Sequence, residues 1–229
     1  MRAIFIAGTD TGVGKTAVSG LLGRYLLGKG CRAVTQKWIQ TGNGNLPNDI
    51  DTHLDWMKMR RADYDEHVSS MEPYTFRFAA SPHLASRLEK RKISMSIIKK
   101  SFDHLSKHFD YIIIEGSGGL LVPLGGRLLL IDLIRQMRLR VLLIAGNRLG
   151  AINSTLLSVE ALKSRRIPIT GIIFNNNQKN QESLILKDNP KIVNSLTGVE
   201  ILGTLPYEKS RELLYKRFTP IGDRIMEII

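Results

Sequence analysis

Short apolar runs alternate with stretches of helical spacing along this chain. Ala3-Ile4-Phe5-Ile6-Ala7 is a continuous apolar run and predicts a buried strand, while Ala17 to Leu27 carries apolar residues at helical spacing. Arg32-Ala33-Val34-Thr35-Gln36-Lys37 predicts a second strand, with Lys37 near its carboxyl end. Thr41 to Asp49 is polar and glycine-rich, which predicts a loop, and Asp51 to Met59 predicts a short helix. Residues 60 to 80 lack a clear period, and Met71-Glu72-Pro73-Tyr74 reads as a turn or extended piece. Ser81-Pro82 opens a helix, since proline is well placed at a first helical position. Met95 to Phe109 returns to helical spacing. Tyr111-Ile112-Ile113-Ile114 is a β-branched run of the kind found in central parallel strands, and it ends in Glu115-Gly116-Ser117-Gly118-Gly119. Arg140 to Ala145 is another such strand, followed by Gly146 to Gly150 and a helix from about Ala151 to Ser164. Ile169 to Phe174 and Glu200 to Leu205 predict the last strands, and Lys209 to Phe218 a helix. Strands alternating with helices predict an α/β fold, a doubly wound, mostly parallel sheet in a single domain over residues 1–229.

Size and composition narrow the setting. With 229 residues and 43% hydrophobic content, the chain can bury a substantial core, yet no apolar run approaches the length of a membrane span. The sequence enters a strand at once, without a signal-peptide pattern. The single cysteine, Cys31, excludes an internal disulfide framework. Together these predict a cytoplasmic protein. The net charge of +12 raises the question of a polyanionic partner. The basic residues fall in short clusters, Lys58 to Arg61, Lys90 to Lys92 and Lys163 to Arg166, without aromatic interleaving. That pattern reads as a solvated surface and predicts neither a nucleic-acid nor a membrane partner.

The chemistry begins after the first strand. Gly8-Thr9-Asp10-Thr11-Gly12-Val13-Gly14-Lys15-Thr16 fits G-x-x-x-x-G-K-T, a phosphate-binding loop, between a predicted strand and a predicted helix. Glycines let backbone N–H groups close around phosphate oxygens, and the helix start adds unpaired N–H groups and partial positive charge. Lys15 can reach the terminal phosphates, and the Thr16 hydroxyl can ligate Mg²⁺.

Ligands of such sheets bind beyond the carboxyl ends of the strands, where Lys37, Glu115, Asn147 and Asn175 stand. Glu115, between an apolar run and a glycine-rich turn, suits an acid that holds Mg²⁺ beside nucleotide phosphates. Asp49 and Asp51 are open alternatives for a second acid, and either serves equally as a helix cap. Lys37 is placed to neutralise a phosphoryl-transfer transition state, or to lie as a surface lysine. Asn175-Asn176-Asn177 offers amides for an adenine edge, or simply a turn. The five histidines, His53, His67, His83, His104 and His108, show no metal-ligand spacing with Cys31. Trp38 and Trp56 read as packing residues.

As a set, these residues resemble the dethiobiotin synthetases, P-loop enzymes of biotin synthesis. The similarity runs nearly the whole length: the Gly8 to Thr16 loop, Lys37 with Thr41-Gly42, Pro73-Tyr74-Thr75-Phe76, Ser81-Pro82-His83, Glu115 to Leu120, Val122-Pro123-Leu124, Leu149 to Asn153, Gly171 with Asn175, and Gly203 to Pro206. The resemblance implies ATP-dependent carboxylation of 7,8-diaminopelargonic acid with CO₂ derived from bicarbonate. A carbamate and its mixed anhydride with phosphate lead to dethiobiotin, ADP and phosphate. It implies Lys15 and Lys37 as catalytic residues, and ATP held by Gly12, Val13, Gly14, Lys15, Thr16, Ala17, Glu115, Gly116, Ser117 and Gly118. Asn175, Asn176 and the backbone of Leu205, Pro206 and Tyr207 are implied around adenine. Thr16, Asp51 and Glu115 are implied around Mg²⁺, the resemblance choosing Asp51 over Asp49. Thr11, Lys37 and Thr41 are implied at the diamine or its carbamate. The family is a homodimer, so Gly150, Ala151, Ile152 and Asn153 are implied at the substrate carboxylate of a neighbouring subunit. The sequence departs from the family pattern at Ser117, usually alanine, at Trp38, usually proline, at Thr41, commonly serine, and at Gln40, usually small; Trp38 and Gln40 flank the expected diamine site.

Two other classes share the loop. Switch and partitioning ATPases usually carry a second lysine early in it, where this chain has Asp10. Their amphipathic terminal helix is poorly matched by Ile221 to Ile229, which includes Asp223 and Glu227. Amide-forming relatives such as the cobyrinic acid enzymes need a glutaminase domain with a nucleophilic cysteine, whereas Cys31 falls between the first helix and the second strand.

Overall fold

The computed structural model describes residues 1–42, 44, 48–179 and 182–229; the loop predicted over Thr41 to Asp49 lies outside them at positions 43 and 45–47. In chain order the elements are β1 (Arg2–Gly8), α1 (Lys15–Gly28), β2 (Ala33–Lys37), α2 (Asp49–Met57), a 3₁₀ turn (Arg61–Tyr64), α3 (Val68–Met71), α4 (Pro82–Leu88) and α5 (Met95–His108). There follow β3 (Tyr111–Gly119), β4 (Pro123–Gly125), β5 (Leu128–Leu129), α6 (Leu130–Gln136), β6 (Arg140–Gly146), α7 (Ala151–Ser164), β7 (Ile169–Asn175), α8 (Ser183–Thr197), β8 (Ile201–Leu205) and α9 (Arg211–Ile228).

Six strands form one sheet in the order β2-β3-β1-β6-β7-β8, parallel throughout, and β4 and β5 pair as a separate antiparallel ribbon. The continuous apolar runs follow from this topology. Each central strand is covered on both faces, so neither set of alternating side chains meets water. In β1, Phe5 and Ala7 join the core layer that contains Ile50, Leu54, Leu133 and Leu162. Ile4 and Ile6 join the opposite layer, with Val18, Leu22, Tyr25 and Phe218. Helices α1 and α9 thus cover one face, and α2, α5, α6, α7 and α8 contribute to the other.

Several boundaries differ from expectation for local reasons. Helix α2 begins at Asp49 rather than Asp51 because the Asn48 side chain caps it, accepting from Ile50 N at 2.8 Å. Strand β3 continues through Gly119, its last residues pairing with Gly8 of β1. Helix α9 runs on past Phe218 with Pro220 inside it, because Ile221 and Ile225 keep its buried stripe. Helix α8, which the sequence reading does not include, also contains a proline, Pro190, and most of its residues are exposed.

Register across the sheet places the chemistry. Lys37 and Glu115 are parallel partners on β2 and β3, and Glu115 in turn pairs with Ile6 of β1. At the opposite end, Asn175 pairs with Gly146 of β6 and Leu205 of β8. One carboxyl edge therefore carries Lys37, Glu115, the Gly8 loop and Asn175 in line.

Candidate active site

The edge opens into a cleft of about 800 Å³, lined among others by Thr11, Gly12, Gly14, Lys15, Thr16, Lys37, Gln40, Thr41, Asp49, Glu115, Ser117 and Gly118. Loop, lysines and acid are thus brought together as the sequence predicts.

Gly14 caps α1 with φ 100°, a left-handed conformation that a side chain strains, and a Cβ there would run into the Asn175 amide. The reason is a brace from β7. Asn175 Nδ2 donates to Val13 O at 2.9 Å, and Asn177 Nδ2 donates to Gly12 O at 2.6 Å. Two side-chain amides hold the loop's backbone from behind, which leaves its N–H groups to a ligand. Lys15 is buried, and its Nζ donates to Asp10 O at 2.9 Å. Burial, opposed by Glu115 and seconded by the Lys37 charge, lowers its pKa to about 8.

Lys37 stands at the centre of the charges. Its ammonium lies 2.6 Å from Glu115 Oε1 and 2.5 Å from Asp49 Oδ2, and it donates to Gly116 O at 3.3 Å. Burial opposes its charge, but the two carboxylates outweigh that and raise its pKa above the ordinary lysine value. Burial likewise works against Glu115, and Lys37 and His53 overcome it, holding the carboxyl ionised well below the usual carboxylate range. Thr16 Oγ1 completes the group, 3.2 Å from Glu115 Oε1 and 3.4 Å from Asp49 Oδ1. A hydroxyl and two carboxylates converging beside a phosphate loop are hard oxygen donors of the type that suits Mg²⁺. Among the described residues, no group of three or more His, Cys, Asp or Glu side chains is placed to hold a metal ion.

Of the two alternatives, Asp49 is the acid that faces the cleft. Asp51 turns outward and pairs with Arg61 Nη1 at 2.6 Å on the surface. The earlier start of α2 rotates Asp49 to the cleft, and the choice of Asp51 is corrected accordingly. Trp38 does not flank the cleft either. Strand alternation puts it on the Val34 face, fully buried, with its ring 4.9 Å from that of Phe5 and its Nε1 donating to Gln36 Oε1 at 3.0 Å. Gln40 does line the cleft: its Nε2 donates to Thr41 O at 3.2 Å and its Oε1 accepts from Asp49 N at 3.4 Å. The hydroxyl of Ser117 donates to Ile39 O.

Gly150, Ala151, Ile152 and Asn153 are not among the cleft's lining residues. They begin α7, whose Gly150 N-cap provides no side-chain cap, and the preceding Arg148 reaches Asp10 at 3.4 Å. Asn176 accepts from Asn147 Nδ2 at 2.9 Å and donates its backbone N–H to Leu205 O. Tyr207 is partly exposed beyond β8, with the Lys179 ammonium over its ring. His53, overlooked in the sequence as an isolated histidine, is fully buried against Glu115.

Comparison with known proteins fits this geometry. A family profile described as "AAA domain" matches residues 2–212. The ATP-dependent dethiobiotin synthetase BioD of Chlorobaculum tepidum is 44% identical over 176 residues, which is 76% of this chain and 72% of that protein. The ATP-dependent dethiobiotin synthetase BioD 2 of Haemophilus influenzae is 38% identical over 190 residues, 82% of this chain and 98% of that one. Among solved structures, the Pyrococcus furiosus cell division ATPase MinD superposes with a TM-score of 0.61 at 16% identity, covering 100% of this chain and 99% of its own, a likeness of fold alone. On these sequence matches, and with a phosphate loop, two lysines and two acids meeting in one cleft, the chain belongs to the ATP-dependent dethiobiotin synthetase family.

Proposed function

We propose that this cleft carries out dethiobiotin synthesis, ATP-dependent carboxylation and ring closure of 7,8-diaminopelargonic acid with CO₂, giving dethiobiotin, ADP and phosphate. The observation that carries the reading is the meeting of Lys15 and Lys37, from α1 and β2, with Thr16, Asp49 and Glu115 around one cleft. Phosphoryl transfer asks a protein mainly to position its reactants and to neutralise developing charge. Here the loop from Gly12 to Ala17 holds the triphosphate, and Lys15 meets its terminal phosphates. Lys37 exchanges its carboxylate partners for the carbamate and the transferring phosphoryl group, and so bridges the two reactants. Thr16, Asp49 and Glu115 are the groups that would hold Mg²⁺, which when bound supplies further charge neutralisation at the phosphates. Thr11 and Thr41 face the diamine, and Gly116, Ser117 and Gly118 stand with Glu115 on the ATP side. Asn175, Asn176 and the Leu205 to Tyr207 backbone hold the adenine.

The substrate carboxylate is met by the start of α7, Gly150 to Asn153, of a second subunit. The uncapped helix start and the exposed Leu149 and Leu157 around it support a homodimer that covers this face. The enzyme works in the cytoplasm as one domain. Incubation with the diamine, ATP and labelled bicarbonate tests the reading: label appears in dethiobiotin in step with phosphate release. ATP hydrolysis indifferent to the diamine but stimulated by DNA or lipid would instead favour a switch ATPase.

A further inference from the structure

We propose that His53 is the positioning residue that orients Glu115 and ties α2 to β3, so that Asp49 and Glu115 stay facing one another when Lys37 leaves them; this rests on Thr16, Asp49 and Glu115 being the cation's donors. His53 Nε2 lies 2.6 Å from Glu115 Oε2, and the imidazole is 0% exposed. A carboxylate oxygen accepts, so the contact is a hydrogen bond in which the His53 Nε2–H donates to Glu115 Oε2. The two oxygens of Glu115 are thereby divided. Oε1 faces the cleft, toward Thr16 and Lys37, and Oε2 is occupied from behind by His53.

The geometry of α2 makes this division useful. Asp49 and His53 are four residues apart on α2 and share one of its faces. The same helix that delivers Asp49 is therefore anchored to Glu115 one turn later. Two carboxylates beside each other repel, and Lys37 spans both. Once Lys37 turns to the reactants, the His53 bond still holds Oε2 of Glu115, beside the Thr16 contact on Oε1, and ties Glu115 directly to α2. Packing alone does not account for a histidine here. Among the described residues its Nδ1 is buried without a partner, a destabilising feature that a leucine of similar volume would avoid.

The test is Mn²⁺ affinity in the presence of ADP, read by electron paramagnetic resonance on the full-length protein, alongside calorimetric ADP affinity without metal. His53→Leu is expected to weaken Mn²⁺ binding by about tenfold or more, while His53→Gln, whose amide reaches as far as Nε2, stays within about threefold of wild type. Metal-free ADP affinity stays unchanged in both. In a Glu115→Gln background, His53→Leu adds no further loss, because the carboxylate it orients is gone. Should His53→Leu fail to fold, His53→Asn, one bond too short to reach Glu115, takes its place with the same expectation. Wild-type Mn²⁺ affinity in His53→Leu, or the same loss with and without Glu115, overturns the positioning role. If Glu115→Gln itself leaves Mn²⁺ binding unchanged, the donor assignment falls and takes this inference with it. If Glu115→Gln weakens binding and His53→Leu does not, the donor assignment stands and only the positioning role is lost.

Discussion

The two ends of the sheet's carboxyl edge are built from different chemistry. At β2 and β3, Asp49, Lys37, Glu115 and His53 form a chain of ionised and ionisable groups, Lys37 2.5 Å from the half-buried Asp49 and 2.6 Å from the buried Glu115, and Glu115 2.6 Å from the buried His53. At β6 and β7, the buried groups are neutral amides. Asn147 donates to Asn176 and to Leu186 O, Asn189 donates to Asn147, and Asn175 donates to Val13 O. Charge is concentrated where the reaction moves charge, and amides are used where a loop only needs to be held. Burying charges is costly unless each is paired, and Lys37 and Glu115, the two buried charges, are paired with one another. On the proposed mechanism those pairs are exchanged during turnover, whereas the amide bonds persist through it.

That contrast yields separable consequences. The largest is at the charged end. Lys37→Gln is expected to lower kcat for dethiobiotin formation by about 10²–10³-fold or more, with nucleotide affinity little changed. A variant that keeps wild-type turnover would remove the distinction between the two ends. At the amide end the effect moves to stability and affinity. Asn175→Leu strips Val13 O of its donor, so thermal unfolding should show a loss of about 1–3 kcal/mol, with ATP affinity reduced and kcat within a fewfold. A drop in kcat at unchanged stability would mean that Asn175 acts in the chemistry rather than behind the loop.

The smallest effect is a proton. With its pKa near 8, Lys15 binds fewer protons than its unfolded counterpart between about pH 8 and 10.5. The destabilisation that its burial causes is therefore present in full below pH 8 and is relieved as pH rises through that window. A triphosphate facing the amine restores the charged form. Calorimetry in buffers of different ionisation enthalpy should then show proton uptake on nucleotide binding at about pH 8.5, fading toward pH 7. Proton-neutral binding at the higher pH contradicts the assignment of that shift to Lys15.

How far the sequence could be read follows the same division. Central strands were legible because burial on both faces leaves uninterrupted apolar runs, and the phosphate loop because its residue types are dictated by backbone geometry. Helix α8 was not, since its face is mostly exposed and Pro190 interrupts the pattern. Asp49 and Asp51 could not be separated from spacing, because Asn48, Asp49 and Asp51 are all competent caps and a two-residue shift decides which acid faces the cleft. Trp38 was drawn toward the substrate by its place beside Lys37, although strand alternation sends neighbours to opposite faces. His53 carries no local signal at all. Its partner is 62 positions away, and only the docking of α2 on β3 brings them together.

The central claim is that Lys37 bridges the two reactants. A crystal structure with the diamine, Mg²⁺ and a non-hydrolysable ATP analogue tests it most directly. The account predicts nucleotide phosphates against the first turn of α1 and the Lys37 Nζ within about 3 Å of both the γ-phosphate and the carbamate or its parent amine. Lys37 still held between Asp49 and Glu115 with both ligands in place, or nucleotide bound away from the Gly8 to Thr16 loop, would contradict it.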